Sequence, residues 1–391
     1  MQPTQVSNFT REAEVLAVSL ELASKDWKLA LDDGKRAAPV VRGGVVKHEE
    51  PRRRLLEAVA VIEATKKKWG LAAGVRVVVV YEAGQDGFWI QRGLEAVGYE
   101  VLVVDPASIQ VNRQARRAKT DRLDALLLVR ALRGWLLGER DRMRVIRVPS
   151  VAAEGRRHLM RERGELQKEI GQHRDRMRKL LHTMGCREEV DTLGQRLPGG
   201  AVQCADGRAL PAGLQQRLVR ESARLQLVQA QLAELEKTLP EQLPEELRQR
   251  IEQLLQLKAV GPVGAYRLLL ELFWRDFNNR REVGSCVGLT PQPYDSGESR
   301  VYQGISKAGN RRVRALLIEM AWMWVRYQPQ SELAQWYCKR ISGTGINKRS
   351  KRIAIVAVAR RLAILLWRYL KHGVLPKDVA LKPVQALLKA A

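Results

Sequence analysis

Residues 75–81 read Val-Arg-Val-Val-Val-Val-Tyr. A nearly unbroken β-branched run of this kind, without polar alternation, is the pattern of a strand that is apolar on both faces. Such a strand belongs in a parallel sheet covered by helices on either side, so this stretch commits its part of the chain to an α/β layer. The flanking segments agree. Residues 15–21, 27–31 and 39–46 read as three short strands in a meander, with Asp32-Asp33-Gly34 as a tight turn. Residues 51–69 carry Leu55, Leu56, Val59 and Ile62 at helical spacing, and Gly70 stops them. A short helix over 88–97, a strand over 100–104 closed by Asp105-Pro106, and a helix starting near Thr120 complete the series.

The order β-β-β-α-β-α-β-α is that of a ribonuclease-H-like fold, of the Holliday-junction-resolvase kind, and it gives four acids a meaning. Glu21 ends the first strand, Glu82 follows the 75–81 run directly, and Asp121 and Asp124 open the last helix on one face. In this fold those places converge at one edge of the sheet. Four carboxylates together repel one another unless a cation neutralises them, and hard oxygen ligands suit Mg²⁺ or Mn²⁺. Two such ions about 3.5–4 Å apart would serve a phosphodiester exchange. Taken singly, Glu21 and Glu82 are ordinary strand-end acids and the Asp pair complements a helix dipole; only the set points to a metal site.

Charge narrows the partner. The chain carries 68 Lys+Arg against 43 Asp+Glu, a formal charge of +25. That implies a polyanion, either nucleic acid or an anionic membrane surface. No apolar run reaches the ~18 residues of a membrane span, and the opening MQPTQVSNFTREAEV lacks a signal-peptide layout. The four cysteines (186, 204, 286, 338) form no C-x-x-C pair, which speaks against a zinc or disulfide framework and suits a reducing cytosol. Nucleic acid is the favoured partner.

Three parts are expected: an α/β domain over 1–148, a helical region over 149–255 and a mainly α part over 256–391. The middle contains two long helices, the first over about 153–184 and the second over 212–239, with a Gly/Pro-rich loop insertion near 186–212. Leu218, Leu225, Leu232 and Leu239 recur every seventh residue. Two readings are open: an antiparallel hairpin within the chain, or a coiled coil that joins subunits into a dimer or tetramer. His173, on the first helix's seam, reads as a packed core histidine.

In the last part, 257–265 resembles the turn of a helix-hairpin-helix element, whose glycines let backbone N–H groups approach a phosphate. Residues 293–300 read as an exposed, turn-prone loop bearing Ser296, and 305–326 as a basic helix. Residues 345–371 read as a basic loop followed by an apolar helix. From 296 to 372 there are 16 Lys or Arg against 3 Asp or Glu, with Trp322, Trp324, Trp336, Tyr327 and Tyr337 among them. These aromatics are either core or stacking platforms for unpaired bases. The nucleic-acid contacts expected from position and charge are Lys119, Arg122, Arg300, Lys307, Arg311, Arg312, Arg314, Lys348, Arg349, Lys351 and Arg352.

A set of short stretches resembles the DEDD transposases of the IS110 insertion-sequence family, which takes in the IS1111 group. They are Leu20-Glu21-Leu22-Ala23-Ser24-Lys25, Tyr81-Glu82-Ala83-Gly84, and Ala118-Lys119-Thr120-Asp121-Arg122-Leu123-Asp124-Ala125. Further along come Gly288-Leu289-Thr290-Pro291, Ser296-Gly297 and Gly304-Ile305-Ser306-Lys307-Ala308-Gly309-Asn310. One departure stands out: the family's first acid is usually Asp, and here it is Glu21, one methylene longer. The resemblance implies Mg²⁺ held by Glu21, Glu82, Asp121 and Asp124, and Ser296 as a nucleophile that forms a covalent phosphoserine link to DNA. Ser299 and Ser306 are nearby competitors for that role. It further implies donor and target DNA as substrates, an element-encoded bridge RNA as guide, and a cytoplasmic, nucleoid-associated bacterial protein. Two rival readings are a metal-dependent junction-cleaving nuclease that uses only the acids, and a non-catalytic nucleic-acid-binding protein.

Overall fold

The computed structural model describes residues 14–23, 26–45, 50–109, 120–296, 299–343 and 347–383. The chain divides into two compact units, 1–148 and 149–391.

The first unit is a five-stranded sheet. β1 (Val15–Leu22), β2 (Trp27–Asp32) and β3 (Val40–Val45) form an antiparallel meander. The chain then crosses by α1 (Pro51–Lys68) to β4 (Arg76–Glu82), which lies parallel to β1, and by α2 (Trp89–Glu95) to β5 (Glu100–Val104), parallel to β4. The strand order is β3-β2-β1-β4-β5. The β-branched run does what its composition demands. Val77, Val79 and Tyr81 face a core completed by Leu16, Val18, Leu20, Ile62 and Leu94, under α1 and α2. Val78 and Val80 face the opposite core with Ala17 and with Leu128 and Leu132 of α3 (Asp121–Leu136). The sheet is therefore the middle of three layers.

The second unit has two cores. One is an antiparallel hairpin of α4 (Val151–His182) and α6 (Ala212–Thr238), with the short α5 (Leu193–Arg196) in the connection between them. Leu218 and Leu225 of the heptad seam are buried against Leu166, Ile170, Met177 and Leu181 of α4, so the chain's own helix occupies that stripe. The insertion over 186–212 is folded onto the hairpin: Val190, Leu193, Leu197, Val202 and Leu210 are buried in the same core. Glu221 is buried and takes His173 Nδ1–H at 2.7 Å, together with Arg176. His173 is thus a satisfied histidine inside the hairpin.

The other core gathers the remaining helices: α7 (Glu245–Leu255), α8 (Pro262–Glu271), α9 (Arg280–Cys286), α10 (Arg311–Tyr327), α11 (Glu332–Ile341) and α12 (Lys348–His372). Three expectations change here. Residues 293–296 and 299–300 are strand rather than loop: β6 (Pro291–Ser296) and β7 (Ser299–Ile305) pair antiparallel. A short, polar, two-stranded ribbon carries no apolar alternation by which sequence could declare it. The basic helix expected over 305–326 begins only at Arg311, because β7 and its connector take the preceding residues. The basic stretch before the last helix is the helix's own start, capped by Asn347, whose Oδ1 accepts from Ser350 N–H at 2.9 Å. Trp324 and Tyr337 are core, whereas Trp322 and Tyr327 are exposed.

Candidate acidic site and nucleic-acid interface

In β1, side chains alternate between the two cores: Leu16, Val18 and Leu20 on one face, Ala17 and Ser19 on the other. Ser19 Oγ–H donates to the Ala125 carbonyl of α3 at 2.7 Å, which fixes the α3 side. Glu21, two residues on, shares that face, and so does Glu82, two residues after Val80. β1 and β4 are parallel, with Leu20 opposite Tyr81, so Glu21 and Glu82 are the next positions of the same register. They mark the carboxyl ends of the two strands where strand order reverses, the place where open α/β sheets bind ligands.

The helix above brings the other two acids. Thr120 caps α3, its Oγ1 accepting from Leu123 N–H at 3.3 Å, and Asp121 and Asp124 occupy the first turn. Asp124 directly precedes Ala125, the residue bonded to Ser19. Both aspartates are half-buried, as are Glu21 and Glu82. The Tyr81 hydroxyl, on the opposite face, donates to the Gly87 carbonyl at 3.1 Å and steadies the loop after Glu82; burial pushes its pKa up to about 12.

Sequence reading missed Lys28. It lies opposite Glu21 in the β1–β2 register, and its Nζ stands 3.2 Å from Asp121 Oδ2. A cation is therefore built into the acidic edge, tying β2 to the head of α3. Only the register of the meander reveals it: Lys28 is the residue that pairs with Glu21 once the turn length is known. The donor chemistry at this edge, four carboxylates, suits a hard divalent ion. Their spacing is looser than a coordination shell, since among the described residues no three His, Cys, Asp or Glu are close enough to hold a metal.

In the second unit, Ser296 is the last residue of β6 and pairs with Ser299, so only Gly297 and Glu298 separate the two strands. Those two residues, Lys119, and the side chains of Ser296, Ser299 and Arg300 lie outside the described residues. The root of this ribbon is tightly tied. A Cβ on Gly309 would sit 2.3 Å from the Cys286 carbonyl oxygen, and one on Gly288 would sit 2.7 Å from that of Ala308. Arg314 Nη1–H donates to the carbonyls of Lys307 (3.0 Å) and Val287 (3.3 Å), so this arginine holds the root together. Thr290 and Ser306 are hydrogen-bonded across it at 3.1 Å, which gives Ser306 a structural partner.

The remaining expected cations present themselves to solvent. Arg122 is exposed on the first turn of α3, Lys307 on the connector, and Arg311 and Arg312 at the head of α10. Lys348, Arg349, Lys351 and Arg352 are exposed on the first two turns of α12. Neither α10 nor α12 has an acid in its first turn. Cations at a helix N-terminus oppose the helix dipole, so these two starts work against helix stability and favour an anion. The 257–265 turn is less clearly a phosphate site. Gly264 is buried in α8 against Met320, while Gly261 is exposed and caps the helix. No helix among the described residues is long and apolar enough to cross a membrane.

Comparison with known proteins finds relatives along most of the chain. A family model described as transposase, of the DEDD type named for IS110, matches residues 45–185. A second, described as the transposase IS116/IS110/IS902 family, matches 251–335. The y4rJ protein of Sinorhizobium fredii, designated a transposase, is 36% identical over 93% of this chain and 94% of its own. The transposase for insertion sequence element IS1328 of Yersinia enterocolitica is 27% identical over 42% of this chain and 48% of its own. That for IS1111A of Coxiella burnetii is 32% identical over 24% of this chain and 25% of its own. A mixed α/β first unit, a helical second unit and a relative matched end to end lead to one conclusion: the chain is a DNA transposase of the IS116/IS110/IS902 family.

Proposed function

We propose that this transposase cuts and rejoins donor and target DNA through Ser296, with the acids of the first unit serving the same phosphodiester. The observation that carries the reading is the shared register and face of Glu21 and Glu82 beneath the acidic head of α3. Glu21, Glu82, Asp121 and Asp124 would hold Mg²⁺ or Mn²⁺. When bound, such ions stabilise charge on the attacking and leaving oxygens of a phosphoryl transfer.

Ser296 Oγ attacks phosphorus and gives up its proton to a base. The Oγ–P bond forms as one P–O bond to deoxyribose breaks, and the released hydroxyl takes a proton. Attack by a hydroxyl of another strand reverses the sequence and frees the serine, so bond energy is retained and no nucleotide triphosphate is consumed. Arg311, Arg312 and the head of α12 draw in the DNA backbone. A bridge RNA supplies sequence recognition by base pairing, the protein contacting phosphates and 2′-hydroxyls. Assembly into a homo-oligomer through α4 and α6 would use what their hairpin leaves outside, including Val219 and Leu227, both exposed.

The test is trapping on DNA carrying the element's ends. A denaturation-resistant protein–DNA adduct is expected from the native chain and from Ser299→Ala, and none from Ser296→Ala. Undiminished cleavage by Ser296→Ala would instead make the protein a metal-dependent nuclease. Strand exchange that proceeds equally without the transcript of the element's flanking non-coding DNA would remove the RNA from the scheme.

A further inference from the structure

Beside the root of the Ser296 ribbon lies a group of side chains with no role in the chemistry above. Arg157 and Arg161 come from α4, Arg275 from the turn after α8, and Glu271 from the end of α8. Each arginine is half-buried, and the Nε of each is buried without a hydrogen-bond partner among the described residues. Arg157 sits close enough to Arg161 for mutual repulsion, and both Arg157 and Arg275 act on Cys286, whose carbonyl receives the Asn310 N–H at 3.0 Å. Burial and the neighbouring Arg161 together pull the Arg157 guanidinium below its usual range.

Arg157 and Arg161 thus stand one turn apart on α4, Arg157 acts on the buried Glu271 carboxylate, and Arg157 and Arg275 share Cys286 as a neighbour. Glu271 is 4% exposed, its Oε2 accepts from Asn310 Nδ2 at 3.3 Å, and its Oε1 has no hydrogen-bond partner among the described residues. Clustering like charges out of water, with donors left over, costs stability and needs a reason. Fork-shaped guanidinium donors match a phosphate. Asn310 adds a geometric link: it closes the Gly304–Asn310 connector, whose start is the end of β7, and caps α10. The cluster is therefore at the base of the ribbon whose tip carries Ser296. A strand of six residues spans about 20 Å, or a few nucleotides of backbone.

We infer that Arg157, Arg161 and Arg275 form a phosphodiester clamp that grips the nucleic-acid backbone a few nucleotides from the bond that Ser296 attacks. The clamp deepens the functional reading above but is tested without chemistry. Its ligand is a backbone phosphate, from either DNA or RNA.

The experiment uses the full chain and short fluorescein-labelled oligonucleotides, one DNA and one RNA of the same sequence, titrated by anisotropy at several salt concentrations. Arg157→Gln with Arg161→Gln is expected to weaken binding roughly tenfold. The slope of log affinity against log salt should become shallower by about 1 for each lost contact. The arm that changes, DNA or RNA, names the source of the phosphate. Melting temperature without nucleic acid is read alongside, since a purely structural role would lower it without moving the salt slope. Arg161→Lys keeps the charge and should keep the slope while losing part of the affinity. Unchanged affinity and slope in both arms, or a lowered melting temperature accompanied by an unchanged slope, would overturn the clamp. Such a failure leaves the Ser296 adduct test untouched, so the two readings fall separately.

Discussion

The head of α3 and the head of α12 are opposite solutions to the same local problem. Both begin with a capping side chain, Thr120 in one and Asn347 in the other. α3 then places Asp121 and Asp124 in its first turn, where they complement the dipole. α12 places Lys348, Arg349, Lys351 and Arg352 in its opening turns, against the dipole and without an acid. The acidic head is thus overdetermined: a good helix start would carry such acids with no further duty. The basic head is not called for by folding, and an anionic partner would account for it. Violations of local preference are the better functional markers.

Substitutions sharpen that contrast. The largest effect is expected from Asp121→Asn with Asp124→Asn: strand exchange is lost, measured with plasmid donor and target, while the melting temperature falls only slightly. If exchange persists, the acids are caps alone. Next, replacing Lys348, Arg349, Lys351 and Arg352 together by Gln should lower DNA affinity roughly a hundredfold and flatten the salt slope by about 3. The same change should raise the melting temperature, since the dipole conflict disappears; a drop would show that these cations stabilise the fold. Thr120→Ala should cost about 1 kcal/mol in denaturant unfolding, the usual worth of an N-cap. A loss of exchange beyond that would tie the cap to the geometry of the acids.

The smallest effect concerns pH. Burial alone would raise the Glu221 carboxyl, but hydrogen bonds and charge from His173 and Arg176 outweigh it and hold the group below its ordinary 4.5. A depressed carboxylate contributes stability that is full above the unfolded value and lost as pH falls through the folded one. The melting temperature should therefore decline on acidification below about 4.5, and less steeply in Glu221→Gln. Parallel curves for the two proteins would remove Glu221 from the hairpin's acid response.

Legibility followed the same division. β4 could be read directly because burial on both faces leaves no polar residue in the run. The proximity of Glu21 and Glu82 follows from strand order, which a chain of short apolar segments specifies well. Lys28 was hidden because its meaning depends on a register, and a register depends on turn length rather than composition. The β6–β7 ribbon was hidden because it is polar and short, so its turn residues outweighed its strands. The heptad leucines were legible as a seam, but a seven-residue period does not say whether the facing helix is the chain's own or another's. Arg157, Arg161 and Arg275 were illegible for a different reason: a basic pair on one helix and an arginine more than a hundred residues on attract no attention in a basic sequence until packing brings them together.

The knot at Gly288 and Gly309 has an engineering consequence. With carbonyl oxygens standing where a single methyl group would go, Gly288 and Gly309 at that end of the ribbon do not accept a side chain without a shift of backbone. Extra length between Cys286 and Asn310 is most easily placed at the outer end, where Ser296 pairs with Ser299. A change in the reach of Ser296, the proposed nucleophile, is therefore most simply made at the tip, where each edit also moves that residue.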